Sequence, residues 1–532
     1  MPTNIGRTRN TVLNLLSAYG GEVIGLLLAF VLRTVFVNTL GGKYLGINGI
    51  FSNILSMLEL AELGFGSAVI FKLYKPIREN NQVEINKYVQ FFKIIYRIVG
   101  FVILFGGICC IPFLPYIIKD YETFAELHLN PILIFGIYLF QSISSYWFFA
   151  YRTTVVEAYQ KKYKLLIVGY IFSITSRVVQ ILSLIFLKNY IIYLLIVVGF
   201  IILRNFAYAY IAKRLYPECF TKEKVPISRA EVVSVFKDCF ALMINKINSV
   251  ILNATDNIVI SSTLGLAFVG LYSNYLLFVT AIKSIVRKFF HAITPSLGNL
   301  HAEGKIEYEY SIFKTINFVT FGIFSVVMTG VAVIAGDFIT VWIGKEFVVD
   351  SFEYGGVRLF TPLALFVGAE LYFHGIYEFT NLFRVSAGLF RHRKYVPLIA
   401  AGVNIVLSFA LVGRLGITGV VIGTIVADLI LIIPYNTTVL YRKLFNRSAA
   451  EFYLRNLLYI LLTAAYAFVC FMLYRLLPFG GWIRIAAGMV ICIFVPCALN
   501  VVIFRKSPEF GIVLSKAKRP FAKRHKKTNK ES

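Results

Sequence analysis

Residues 190–213 read YIIYLLIVVGFIILRNFAYAYIAK, and only Arg204 and Lys213 in that stretch carry charge. A run of this kind matches the ~20 apolar residues that an α-helix needs to cross the hydrocarbon of a bilayer. Similar runs recur along nearly the whole 532-residue chain. The composition agrees: 58% of residues are hydrophobic, 15% are charged, and the mean hydropathy is +0.75. Soluble domains carry roughly 45–50% apolar and about 25% charged residues. In hydrocarbon only helices and closed barrels satisfy every backbone polar group. Barrel strands alternate apolar and polar residues over about 10 positions, and these runs do not alternate. The expected fold is an all-α integral membrane protein of about fourteen transmembrane helices.

Working outward from that run, helices are expected near 11–40, 44–72, 88–116, 130–151, 164–187, 190–213, 234–262, 265–293, 311–335, 357–381, 395–413, 415–441, 452–477 and 481–505. The N-terminus lacks a small-residue cleavage site after a short apolar core, so the first helix is expected to be retained. A net charge of +26 is at first sight a nucleic-acid signal. Its placement argues for membrane loops instead, with Lys and Arg crowding every other loop. The rich side holds Arg7 and Arg9, the 72–87 loop, Lys161 and Lys162, the 213–229 loop, Arg391 to Lys394 and Lys516 to Lys530. The poor side holds Lys43, Lys119, Lys188 and Arg414. Both termini are therefore expected in the cytoplasm. The tail KAKRPFAKRHKKTNKES (516–532) reads as a solvated basic segment resting on anionic lipid. The seven cysteines lie mostly in apolar runs, without disulfide or metal spacing. No cofactor and no metal is expected.

An internal repeat refines the architecture. Leu40-Gly41-Gly42-Lys43-Tyr44-Leu45-Gly46-Ile47 returns as Leu264-Gly265-Leu266-Ala267-Phe268-Val269-Gly270-Leu271, both of the form L-G-x-x-aromatic-aliphatic-G-aliphatic. Each copy follows the first helix of a six-helix block, on the side poor in Lys and Arg. Six intervening helices give both halves the same orientation, a parallel repeat. Two pseudo-symmetric six-helix lobes around a central cavity are expected at 1–229 and 230–447. Two extra C-terminal helices follow at 448–505, and then a tail at 506–532.

A charge at the centre of a membrane helix costs about 2.5–3.5 kcal/mol on insertion scales, so such residues face a cavity or a partner. Glu22 and Arg33 lie on one face of the first helix, about three turns apart. Asn48, Ser52, Ser56 and Glu59 make a row on the second helix, with Glu62 beyond them. Ser173, Ser176, Arg177, Gln180 and Ser183 stripe the fifth; Asn245, Lys246, Ser249, Asn253 and Asp256 mark the seventh. Lys283, Arg287 and His291 recur at four-residue steps, Glu370 and His374 stand one turn apart, and Asp428 is single. Lys93, Arg97, Arg204, Lys283 and Arg287 lie in the cytoplasmic halves of their helices, where snorkelling to water and facing the cavity are both open readings. Arg33, Arg177 and Lys246 are deeper and are assigned to the cavity. Glu22 either neutralises Arg33 or takes part in coupling. Asp256 suits an outer contact between the halves. Glu370 and His374 suit a proton relay or a helix–helix hydrogen bond, and Asp428 is assigned no role.

The stretch Leu58-Glu59-Leu60-Ala61-Glu62-Leu63-Gly64-Phe65-Gly66-Ser67-Ala68, followed by Leu73-Tyr74-Lys75-Pro76, resembles the Wzx-type polysaccharide flippases. So do Asp256-Asn257-Ile258-Val259-Ile260 and Gly270-Leu271-Tyr272-Ser273-Asn274-Tyr275. These flippases belong to the multidrug/oligosaccharidyl-lipid/polysaccharide exporter superfamily, with the multidrug extruders and the lipid II flippases. The resemblance implies two lobes that rock between inward- and outward-open states. It also implies a substrate of the undecaprenyl-pyrophosphate-linked oligosaccharide class, in a bacterial cytoplasmic membrane. Membrane lipids, and the polysaccharide polymerase and chain-length machinery, are the partners implied; nucleic acid is not. An arginine near the end of the first helix faces the cavity in lipid II flippases, and Arg33 stands in the corresponding place. Arg177 and Lys246 join it by depth and stripe, as groups suited to a pyrophosphate.

A cation extruder of the same superfamily would favour an acidic, aromatic-lined cavity, and the candidate lining here contains three deep cations. A lipid II flippase shares the expected architecture and basic cavity. A membrane-embedded enzyme usually carries a large outer loop with carboxylates or a metal site. Here the largest, about 336–357, has only Asp337, Glu346, Asp350 and Glu353, without metal spacing. Transport rather than catalysis is the expected activity.

Overall fold

In a computed structural model the described residues are 21, 24–59, 65–159, 161–220, 227–229, 231–233, 236, 255–348, 353–354, 357–358, 362–389 and 395–515. They are overwhelmingly helical. The chain divides into two compact units, Met1–Gly270 and Leu271–Ser532. Among the described residues, nine helices are long and apolar enough to cross a bilayer. This is a multi-pass membrane protein.

The first unit contains α1 (Ile24–Leu40), α2 (Gly42–Leu58), α3 (Phe65–Arg78), α4 (Gln82–Cys110), α5 (Pro131–Trp147), α6 (Lys162–Leu187), α7 (Tyr190–Leu215) and α8 (255–263). Several of these helices start where asparagine supplies a cap. Asn130 accepts hydrogen bonds from the backbone N–H groups of Ile132 and Leu133 at 3.0 and 3.1 Å, with Pro131 at the first helical position. Asn189 caps α7 in the same way, through Ile191 and Ile192. α5 packs on α4 and α7, and α6 packs on α7. The helix expected over 44–72 is described over α2 and α3, and 60–64 lie outside the described residues.

Helical residues appear from Arg229, ahead of the expected 234. A reciprocal capping box accounts for this. Glu231 N–H donates to Ser228 Oγ at 3.2 Å, and Ser228 N–H donates to Glu231 Oε2 at 2.9 Å. Hydropathy misses it because the box is polar. Lys87 Nζ also bonds Glu231 at 2.5 Å, and these donors pull the Glu231 carboxyl down to about 2 from its ordinary 4.5. A lowered carboxyl pKa stabilises the fold fully above the ordinary value. That contribution is lost as pH falls from 4.5 through about 2, so the box is intact at neutral pH. Ser228→Ala should loosen the turn by about 1 kcal/mol. That corresponds to about fivefold faster trypsin cleavage after Arg229 in purified protein; an unchanged rate would remove the cap from this account.

The second unit contains α10 (Ile306–Ile343), α11 (Pro362–Ser386), α12 (Val396–Leu415), α13 (Ile417–Phe445), α14 (Ala450–Arg475) and α15 (Gly481–Phe504). Ahead of them α9 (Leu266–Ala302) begins in the first unit and continues into the second. α10 is central, packing on α11, α14 and α15. Its Phe313, 1% exposed, is ringed by Phe379, Phe383 and Phe445 at 4.7–5.1 Å between ring centroids. α9 and α10 outrun their expected bounds because hydropathy marks only the apolar part of a helix. α13 contains π-helical turns at Asp428–Ile432 and Tyr441–Phe445. The outer loop expected near 336–357 starts only after Ile343 and carries a two-residue antiparallel ladder, Glu353–Tyr354 with Val357–Arg358. Residues 508–515, expected as part of the tail, form a further helix whose Glu509 pairs with Arg455.

The repeat is visible in the backbone. Gly41 and Gly265, equivalent positions in its two copies, have φ of +90° and +107°. Both are left-handed turns of a kind glycine adopts freely.

Candidate functional site

In the first unit, Arg33 of α1 and Arg177 of α6 both lie within electrostatic reach of the Tyr193 hydroxyl on α7. Arg177 also donates to the backbone oxygen of Gly25 on α1. Two positions 144 apart in sequence (177 − 33) thus meet at one place. Around them is a set of hydroxyls and amides. Tyr138 donates to Asn48 Oδ1 at 2.6 Å and stands 3.0 Å from the Tyr190 hydroxyl. Tyr193 hydrogen-bonds Gln180 and Asn48. Phe36 meets Tyr190 and Tyr193 edge-on.

The polar row expected on the second helix is present on α2. Ser52 bonds Asn48, and Ser56 bonds the backbone of Ser52 at 2.8 Å. At its end Ser142 donates to Glu59 at 2.7 Å. Ser52 and Ser56 are exposed. The stripe on α6 is also present: Gln180 and Ser183 turn into the helix pack, while Arg177 stays partly exposed. Glu22 and Lys246 lie outside the described residues. Asp256 is buried at the start of α8, beside buried Thr255 and Asn257.

The second unit holds an ionic cluster. Lys283 of α9 pairs with Glu370 of α11 at 2.5 Å, both largely buried. Arg287 lies 3.6 Å from Glu378, and His374 lies 3.5 Å from the same carboxylate. Asp428, at the π-helical turn of α13, is within electrostatic reach of Glu370 and Lys283. Arg384 donates to Asn381 at 2.7 Å and sits over the Tyr435 ring. Glu370 accepts a helix–helix hydrogen bond from Lys283 of α9, while His374 lies against Glu378 and not Glu370. Of the two readings open for Lys283, the structure has the partnered one, in which a buried ion pair replaces the lost hydration.

The tyrosines Tyr138, Tyr190 and Tyr193 escape a sequence reading because tyrosine in an apolar run looks like packing. Glu378 and Arg384 escape it too, although Glu370, His374 and Glu378 recur at four-residue steps. Among the described residues no group of three His, Cys, Asp or Glu side chains is placed to hold a metal.

Comparisons with known proteins bear on both fold and family. No curated protein sequence matches the chain. Among solved structures, the lipid II flippase MurJ in an inward closed conformation superposes with a TM-score of 0.62 at 16% identity. The match covers 93% of this chain and 99% of that one. An inward-facing multidrug resistance MATE family transporter of the MOP superfamily superposes with a TM-score of 0.50 at 13% identity, over 78% of this chain and 94% of that one. At these identities the likeness is one of fold. Residues 11–301 match the family described as polysaccharide biosynthesis protein, more than half of the chain. The chain therefore belongs to the polysaccharide biosynthesis protein family, on the fold of MOP-superfamily transporters and flippases.

Proposed function

We propose that this protein carries an undecaprenyl-pyrophosphate-linked oligosaccharide from the cytoplasmic to the outer leaflet by alternating access. The reading is carried by the convergence of Arg33 and Arg177 beside an exposed row of small polar side chains on α2. A diphosphate crossing hydrocarbon needs fixed cations, and guanidinium groups bind phosphate oxygens with paired donors. A sugar head needs hydrogen-bonding side chains such as Asn48, Ser52 and Ser56. Lys246 is the third cation in this reading.

Glu22, Asp256, Glu370 and His374 are assigned to coupling or gating. The lobes are taken as 1–229 and 230–447, with 448–505 and the 506–532 tail outside the repeat. Both termini face the cytoplasm of a bacterial cell, by the distribution of Lys and Arg. The polysaccharide polymerase and chain-length machinery are the proposed downstream partners.

The test is translocation in proteoliposomes, using a fluorescent undecaprenyl-pyrophosphate oligosaccharide and an impermeant quencher. Protein-dependent flipping at least tenfold above empty liposomes is expected. Absence of flipping, with gradient-driven movement of cationic dyes in the same vesicles, would overturn the reading in favour of an extruder.

A further inference from the structure

Between α5 and α6 two cations rest on the rings of one short segment, Tyr216–Phe220, that follows α7. Arg152 places its guanidinium carbon 5.2 Å from the ring centroid of Phe220, 4.7 Å from that of Phe149 and 5.8 Å from that of Tyr151. Its Nε donates to the Tyr151 hydroxyl at 3.3 Å. Lys161 sets its ammonium 5.2 Å over the ring of Tyr216. The segment itself is fixed. Tyr216 stacks on Tyr159 at 4.1 Å, and the buried Cys219 accepts from Gln82 of α4 at 3.4 Å. Phe149 has φ of +60°. An aromatic residue keeps that left-handed backbone only where its surroundings hold it. Here its ring contacts both Arg152 and Phe206 of α7.

These are not ordinary loop charges, which move freely in water and pair weakly with exposed carboxylates. Among the described residues neither Arg152 nor Lys161 pairs with a carboxylate, although two stand close in sequence. Glu157 pairs with Lys162 at 3.0 Å, and Glu218 is exposed and forms no ion pair. The terminal nitrogens of Arg152 have no protein partner there either, so its planar fork is held by rings and open at its donors. Both side chains are partly exposed. Donors fixed in this way bind an anion without first losing rotamer freedom or a counter-charge. Trp147 ends α5 just ahead of them, an amphipathic ring of the kind enriched at membrane–water interfaces. Arg177 stands 15 residues beyond Lys162 on α6 (177 − 162), about 22 Å along the helix. The two cations are thus a second station, separate from Arg33 and Arg177.

We propose that Arg152 and Lys161 form a docking site for the diphosphate head of the carrier lipid at the cytoplasmic face, occupied before the head reaches Arg33 and Arg177. A diphosphate offers two phosphoryl groups to two cations, whereas the phosphodiester of an ordinary phospholipid offers one. The inference rests on the orientation and flippase reading given above, and adds to it the place where substrate is first captured.

The test uses the full-length protein in nanodiscs of zwitterionic lipid. An environment-sensitive fluorophore on Glu218→Cys is read above the labelled parent protein. Undecaprenyl diphosphate, carrying no sugar, should change the emission saturably. Arg152→Gln and Lys161→Gln should each raise the half-saturating concentration at least tenfold. Lys161→Gln removes a partly exposed ammonium and decides the matter if Arg152→Gln does not fold. An equally strong response to phosphatidylglycerol would make this a general phospholipid site and overturn the docking role. So would no response, or one indifferent to both substitutions. In proteoliposomes, Lys161→Gln should also raise the substrate concentration for half-maximal translocation at least tenfold. The fluorescence arm requires no translocation. If it behaves as expected while the parent moves no lipid-linked sugar, the transport reading fails and the site stands. If the parent translocates while the fluorescence is silent, the site fails and the transport reading stands.

Discussion

Arg33→Ala and Arg177→Ala are each expected to slow translocation of the lipid-linked oligosaccharide by about 10- to 100-fold. A hydrogen bond to a charged group contributes roughly 1.5–3 kcal/mol, and removing one guanidinium removes at least one such contact to the diphosphate. Lysine should restore only part of the rate at either position. It keeps the charge but presents a single ammonium in place of a planar fork. Arg177 needs a further control, because it also donates to the Gly25 backbone and ties α6 to α1. If its contribution is only structural, Arg177→Ala will lower the unfolding midpoint, and the folded fraction will transport normally. The binding assignment requires the opposite pattern, with the rate per folded molecule falling. Arg33 and Arg177 share the Tyr193 hydroxyl, so their effects should be non-additive.

The other large effect is expected at Lys283 and Glu370. Their side chains are 2.5 Å apart and largely buried, on α9 and α11. Glu370→Gln leaves a buried ammonium without its counter-charge, a change that destabilises by about 3–5 kcal/mol. Lys283→Met leaves the carboxylate stranded and should cost a similar amount. The double variant removes both charges and should recover most of the loss, since well-packed neutral residues replace a buried pair with little penalty. Equilibrium unfolding in mixed micelles supplies the four corners of this cycle. Additive losses would show that the two groups do not depend on each other, and the pairing drawn here would be wrong. Transport measured on the same variants bears on the proposed coupling role. A stable double variant that still translocates would leave Glu370 a structural residue.

Much of this protein is written locally in its chain. Apolar runs of membrane-spanning length are sufficient to place helices, because hydrocarbon leaves the backbone no other partner. Asn130 with Pro131, and Asn189, mark helix starts by chemistry that acts within three residues. The octapeptide repeat is legible for the same reason, and its first glycines turn left-handed in both copies. Polar positions in the helices are legible as well, since an intramembrane charge stands out against its surroundings. Arg33, Arg177, Glu370 and the Asn48 row are all found that way.

Partners are another matter. From sequence, Glu370 and His374 look like a pair because they stand one turn apart. The fold gives Glu370 to Lys283, 87 residues away, and His374 to Glu378. Tyr138, Tyr190 and Tyr193 look like packing until the fold gathers their hydroxyls beside Asn48 and Gln180. The second glycines of the repeat, Gly46 and Gly270, show no purpose until each is seen against the other copy's backbone. The sequence by itself determined the membrane class, the helical segments and the places where polarity is tolerated, because those follow from local periodicity and the cost of exposing polar groups to hydrocarbon. Only the tertiary structure decided which charge neutralises which and where two backbones touch, because those contacts join residues far apart in the chain through helix packing that no local pattern encodes.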